Sequence, residues 1–177
     1  LQRVVEISLR KSDAASYNEG VHLLADIFSL QNNLKAAEAY YQKVITNLAE
    51  NSSGKQQKDG LNTVIEKLVN VKSKRGNFVA ASTLMRNVVK TKSLDALSHA
   101  KLAKLLLFSG DEESALESAR HSVWLDDRCA ERYSVLSLVE ISTKDSSWSS
   151  IVNTLLIVEK ILDESEDDEF LNMQLHL

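Results

Sequence analysis

Apolar residues recur at steps of three and four along most of this chain. Leu97, Ala100, Leu102, Ala103, Leu106 and Leu107 fall on one broad face of a helix. Ser109-Gly110-Asp111 breaks the run. Gly takes the left-handed conformation that ends a helix, and Asp caps the next helix by accepting a backbone N–H. A second helix then carries Ala115, Leu116, Ala119, Val123 and Leu125 inward and ends near Asp126-Asp127. The stretch before reads the same way. Ile65, Leu68, Val69 and Val71 precede an Arg75-Gly76-Asn77 turn, and Phe78, Ala81, Leu84, Met85, Val88 and Val89 follow it. The stretch after has Tyr133, Leu136, Leu138, Val139 and Ile141, a Lys144-Asp145-Ser146 turn, then Trp148, Ile151, Val152, Leu155, Leu156 and Val158.

The three stretches keep step. Leu68, Leu102 and Leu136 are 34 residues apart. Gly76, Gly110 and Lys144 hold the turn position, and Ala81, Ala115 and Ser149 the small position early in each second helix. A fixed period of this length is the signature of stacked helical hairpins. An earlier hairpin matches at an offset of 44, with Leu24, Ala25 and Phe28, a Gln31-Asn32-Asn33 turn, then Ala36, Ala37, Tyr40, Tyr41 and Val44. Its ten extra residues fall on the polar, Gly- and Ser-containing stretch 51–60, which is expected to be a loop. Residues 1–12 read as one more helix, the second half of a preceding hairpin.

Composition supports the helices. The 177 residues contain no proline and five glycines. Proline breaks helix interiors, and a turn-rich β-sandwich needs more glycine. With 44% hydrophobic and 26% charged residues the chain reads as an ordinary globular protein. It opens at Leu1 rather than Met and is expected to be a piece of something longer. No apolar run has membrane-spanning length, so no membrane partner is expected. The single Cys129 cannot close an internal disulfide, which points to a cytoplasmic setting, with the nucleus as the alternative.

Charge is unevenly spread. The net charge is −4, yet residues 55–104 hold eleven basic and three acidic side chains, while residues 105–177 hold five and sixteen. Lys72, Lys74 and Arg75 form the core of a basic patch suited to an acidic peptide or to nucleic acid. Residues 163–169 hold six acids in seven and read as a solvated terminus, a linker or a regulatory segment. Phe170, Leu171, Met173, Leu175 and Leu177 after it suggest a capping helix or a further hairpin.

No catalytic constellation competes with the repeat. His22, His99, His121 and His176 are scattered, and none shares a metal-ligand spacing with Cys129. The glycines are isolated, so no phosphate-cradling loop exists. No enzyme activity, cofactor or metal is expected. Asn51-Ser52-Ser53 fits a glycosylation sequon and reads as chance in a cytoplasmic chain.

Ala103, Gly110-Asp111, Ala115, Ala25, Ala37 and the run Ala39-Tyr40-Tyr41-Gln42-Lys43 together resemble the tetratricopeptide repeat family. The resemblance covers about residues 14–162. It departs from the family at the proline that often ends the second helix, where Ala49, Ser93, Asp127 and Ile161 stand. It implies an all-α, right-handed α-solenoid of helix–turn–helix repeats. One superhelical domain would then span 1–177, with repeats at about 14–50, 62–95, 96–129 and 130–162. It also implies a partner groove lined by the first helix of each repeat. Carried over, the groove positions include His22, Asp26, Asn70, Leu97, Lys104, Leu107, Leu138 and Ile141. The chaperone-binding members clamp a carboxylate with basic and amide side chains. Here His22, Asp26, Lys67, Leu97 and Lys101 stand at those places, so that clamp is largely missing. The expected function is a non-enzymatic scaffold or adaptor that docks a peptide or helix of another protein in a multiprotein complex. The alternative is an RNA- or ribonucleoprotein-associated subunit that uses the basic middle. A third reading is self-assembly through terminal hairpins.

Overall fold

The computed structural model describes residues 14–51, 55–143 and 147–175. Among these, eight helices follow one another: α1 (Ala14–Leu30), α2 (Leu34–Asn51), α3 (Lys55–Lys74), α4 (Phe78–Thr91), α5 (Ala96–Ser109), α6 (Glu112–Leu125), α7 (Ala130–Ser142) and α8 (Trp148–Leu175). The helix expected over residues 1–12 lies outside the described residues. The backbone groups into two compact units, Leu1–Val88 and Val89–Leu177, with the boundary inside α4.

In unit 1 the periodic residues form the core. Val21 and Ala25 of α1 meet Ala37, Tyr40, Tyr41 and Val44 of α2, then Val64, Leu68 and Val71 of α3. Ala25 and Ala37 are fully buried. With only a methyl at the contact, neighbouring helices can approach closely. Phe28 stacks on Tyr40 with ring centroids 5.4 Å apart. The turns are made as the sequence indicates. Asn32 takes a left-handed conformation (φ 58°), which Asn tolerates better than most side chains. Asn33 then accepts from the Ala36 N–H at 3.3 Å, capping α2. At the next turn Gly76 (φ 74°) supplies the left-handed residue, and Asn77 accepts from the Ala80 N–H.

In unit 2, Leu102, Ala103, Leu105 and Leu106 of α5 are buried with Ala115 and Ala119 of α6 and Val135, Leu136 and Val139 of α7. Asp95 caps α5 and Asp111 caps α6, each by accepting a backbone N–H three residues on. Gly110 (φ 87°) closes α5 and donates to the Leu106 and Leu107 carbonyls. The buried Ser122 hydroxyl reaches across to the Ala96 carbonyl at 2.7 Å, tying α6 to the start of α5.

Three expectations are corrected. The described part of the polar stretch 51–60 is not a loop, because Asn51 ends α2 and residues 55–60 already belong to α3. The extra residues lengthen helices instead: α2 and α3 have 18 and 20 residues, against 14 in each of α4, α5 and α6. Polarity cannot tell a solvated helix from a loop, and Lys and Gln are good helix formers. The acidic stretch 163–169 is not a linker or a separate terminus but part of the continuous helix α8, within which no Gly or Pro intervenes. Ser149 does not take the small inward position. Ile151 and Thr154 face inward and Ser149 is exposed. Five residues connect α7 to α8 where two connect α5 to α6, so the inward face of α8 arrives two residues late.

Glu140 of α7 is buried, at 3% exposure. Its two carboxylate oxygens accept from Ser150 (2.8 Å) and Thr154 (3.0 Å) of α8. A buried carboxylate is costly without such donors, so this pair of hydroxyls fixes how α8 sits on α7.

Candidate functional site

The groove positions of unit 1 meet over α1, α2 and α3. His22 and Asp26 stand one turn apart on α1. Lys67 of α3 donates to both oxygens of Asp26, at 2.9 and 2.7 Å. The same ammonium lies 3.0 Å from His22 Nε2, which must accept and therefore carry no proton there. From α2, the Tyr41 hydroxyl donates to Asp26 at 2.5 Å. Asp26 is thus the hub of a network drawn from three helices.

The electrostatics follow from this geometry. Burial pushes the Asp26 carboxyl up, but the hydrogen bonds from Lys67 and Tyr41 outweigh it and hold the group below the usual carboxylate range. Burial pulls the His22 imidazole down, the Lys67 charge adds to that, and Asp26 opposes it without reversing it. Burial and the Asp26 charge both raise Tyr41. Beside the network opens a cleft of about 500 Å³, lined also by Ser29, Leu30, Asn70, Ser73 and Lys74.

The basic trio is not brought together as a single patch. Lys72 donates to Glu38 of α2 at 2.6 Å, and Arg75 donates to the other oxygen of the same carboxylate. Lys74 turns instead to the cleft beside Asp26. The Lys72 hydrogen bond holds the Glu38 carboxyl down, against the upward push of burial, and the Arg75 charge adds to it. Two of the three expected patch cations therefore stitch α2 to the end of α3.

Unit 2 carries a different surface. Leu97 on α5 and Leu138 and Ile141 on α7 are exposed, the last at 58%. Leu107 is half-buried. Lys104 of α5 reaches Glu131 of α7 at 3.8 Å, so these two helix faces look the same way. The result is an apolar strip with one solvent-screened ion pair across it.

A second, larger cleft of about 1260 Å³ was not indicated by the sequence. It lies on α5 and α6, between His99, His121, Trp124 and the carboxylates Glu112, Glu113 and Glu117. The rings of His99 and His121 are 4.4 Å apart, and His121 stacks on Trp124 at 5.4 Å. His99 Nε2 lies 3.0 Å from the Ser93 carbonyl, so that nitrogen bears the proton. Burial lowers His99, and the bond to Ser93 only partly offsets it. Among the described residues no three His, Cys, Asp or Glu side chains gather as a metal site. No described helix is long and apolar enough to cross a membrane.

Of the expected site residues, His22, Asp26 and Asn70 gather in unit 1, and Leu97, Lys104, Leu107, Leu138 and Ile141 share one face in unit 2. Sequence reasoning read Tyr41 only as core. The aromatic ring gave that signal, and nothing in the pattern revealed that its hydroxyl reaches Asp26.

No protein family's sequence pattern matches the chain, and no curated protein matches it either. Solved structures do. A kinesin light chain-like protein of Podosopora anserina with nearly identical tetratricopeptide-like repeats superposes with a TM-score of 0.75 at 16% identity, over 94% of this chain and 85% of that one. MamA from Desulfovibrio magneticus, residue 41 to its end, gives 0.69 at 12% identity, over 92% and 93%. An O-GlcNAc transferase of Thermobaculum terrenum gives 0.65 at 18% identity, over 85% of this chain but only 27% of the enzyme. These likenesses show the fold, an α-solenoid of tetratricopeptide-like hairpins with about four repeats among the eight described helices.

Proposed function

We propose that the chain is a non-enzymatic scaffold that docks a peptide or helix of another protein along the face shared by α5 and α7. The observation that carries this reading is the exposure of Leu97, Leu138 and Ile141 on neighbouring helices joined by the Lys104–Glu131 pair. Large aliphatic side chains left partly in water on two neighbouring helices gain from a partner that covers them, on the order of 1 kcal/mol each at this partial exposure. Helix-in-groove recognition uses such anchors at three- and four-residue steps. The structural neighbours of this chain are helical-repeat proteins, and the one enzyme among those described shares only a small part of its length with it.

The cleft over Asp26 and Lys67 supplies a polar subsite in unit 1. Its ion pair is already closed, so it suits hydroxyl and amide groups better than a bare carboxylate. The RNA alternative draws on Lys72, Lys74 and Arg75. Two of those cations share the single carboxylate of Glu38, and we favour a protein partner.

The test is affinity capture with the whole chain beside Leu138→Glu and a Lys72/Lys74/Arg75 charge-reversed form. Loss of captured proteins with Leu138→Glu, at an unchanged melting temperature, supports the groove. An identical set of captured proteins from Leu138→Glu and wild type would sink it. Loss only with the charge-reversed form, together with a steep salt dependence, would favour nucleic acid.

A further inference from the structure

The two second helices of unit 2 share a position in their hairpins but not an environment. Their inward anchors are Ala115 on α6 and Ile151 on α8. Counted from those anchors, Leu155 stands where Ala119 stands. Ala119 is fully buried, on a helix that packs on both α5 and α7. Leu155 is 47% exposed. Helix α8 packs on α7, and it is the last described helix.

What α8 turns outward is not a solvated cap. Trp148, Val152, Leu155, Leu156 and Leu162 are all exposed. At about 100° per residue they fall within roughly 120° of arc, which is one face of the helix. Helix α8 presents more large apolar side chains than α6, which exposes only Trp124 among its own. Glu159 sits in the middle of the same arc, and the acidic stretch 163–169 continues along the helix.

We propose that the outward face of α8 is a docking surface for a basic amphipathic α-helix supplied by another polypeptide, lying on α8 as α7 lies on α6. The shape follows from the repeat, since a helix is what covers the corresponding face one hairpin earlier. The charge follows from Glu159 and the acidic run. A lysine or arginine opposite Glu159 satisfies that carboxylate once the leucines around it lose water. This surface is separate from the α5/α7 face and stands whether or not that reading holds.

The test uses the whole chain and a fluorescent amphipathic peptide of about 18 residues built of Leu and Lys. A Leu/Glu peptide of the same pattern serves as its counterpart, and binding is followed by anisotropy. The Leu/Lys peptide is expected to bind at least about tenfold tighter than the Leu/Glu peptide. Leu155→Glu with Leu156→Ser is expected to weaken it by about tenfold or more, whereas Leu138→Glu leaves it unchanged. Glu159→Lys alters only a surface charge and needs no repacking. It is expected to weaken the Leu/Lys peptide and strengthen the Leu/Glu one. Equal binding of both peptides, or α8 variants that bind as wild type, would overturn the proposal. So would loss of binding with Leu138→Glu alone. Sedimentation showing a wild-type dimer that Leu155→Glu converts to a monomer would overturn it in favour of a second copy of the chain.

Discussion

At one repeat position stand Asp26, Asn70, Lys104 and Leu138, and at the next Ser29, Ser73, Leu107 and Ile141. In unit 1 these places are polar, and their chemistry is spent within the unit. Asp26 takes Lys67 and Tyr41, and nearby Glu38 takes Lys72 and Arg75. In unit 2 three of the four places are aliphatic, Lys104 being met by Glu131, and Leu138 and Ile141 stay in water. One hairpin geometry thus serves two ends. Where outward residues find partners inside the unit, they hold helices together. Where they do not, they leave surface for something else to cover.

The contrast is broken most sharply by removing one acid from each unit. Asp26→Ala strips Lys67 and Tyr41 of their acceptor and is expected to cost about 1.5–3 kcal/mol, read from urea denaturation. Glu131→Ala removes a 60% exposed carboxylate with its long contacts to Lys104 and Arg132, and is expected to cost less than about 1 kcal/mol. Equal losses would mean that the unit 1 network is as weak as a surface pair.

A pH titration sharpens the same point. His22 and His99 both have folded-state values below the ordinary one. As pH falls through the ordinary histidine range, the unfolded chain takes up protons that the folded chain refuses, so stability falls. Asp26 and Glu38 extend the loss further, because their folded carboxyls are held below their ordinary values and resist protonation. His22→Gln is expected to flatten the first part of that slope, measured as melting temperature between about pH 7.5 and 5.5. An unchanged slope would show that neither burial nor Lys67 lowers the imidazole.

The smallest change tests the lengthened helices of unit 1. Gly60 lies inside α3, and nothing stands within 4 Å of a Cβ added there. Gly60→Ala is expected to stabilise the chain by about 0.5–1 kcal/mol, since alanine loses less backbone freedom in a helix. Destabilisation would restore the loop that the polar sequence suggested.

Much of the fold was legible because each hairpin writes its own punctuation. Gly76, Gly110 and Asn32 mark the left-handed turns, Asp111 the cap, and Ala25, Ala37, Ala81 and Ala115 the inward contacts. Those are local signals. The polar stretch 51–60 was misread because water accepts a charged helix and a loop alike. The Asp26–Lys67 pair was not legible because its members are 41 residues apart and meet only after three helices have packed. Lys72 and Arg75 looked like unpaired charge for the same reason, since the one carboxylate they share belongs to an earlier helix.

The five-residue connection before α8 has a consequence for cutting and joining this chain. A two-residue slip turns a helix by about 200°. A hairpin copied from residues 96–129 keeps its phase when inserted into the stack, and each added copy points its alanines inward. A copy cut from residues 130–163 carries the slip with it and severs α8, which runs on to Leu175. The chain can therefore be lengthened at its middle as a modular series, but not at its acidic end. A homologue that gained repeats is expected to have gained them upstream of α7.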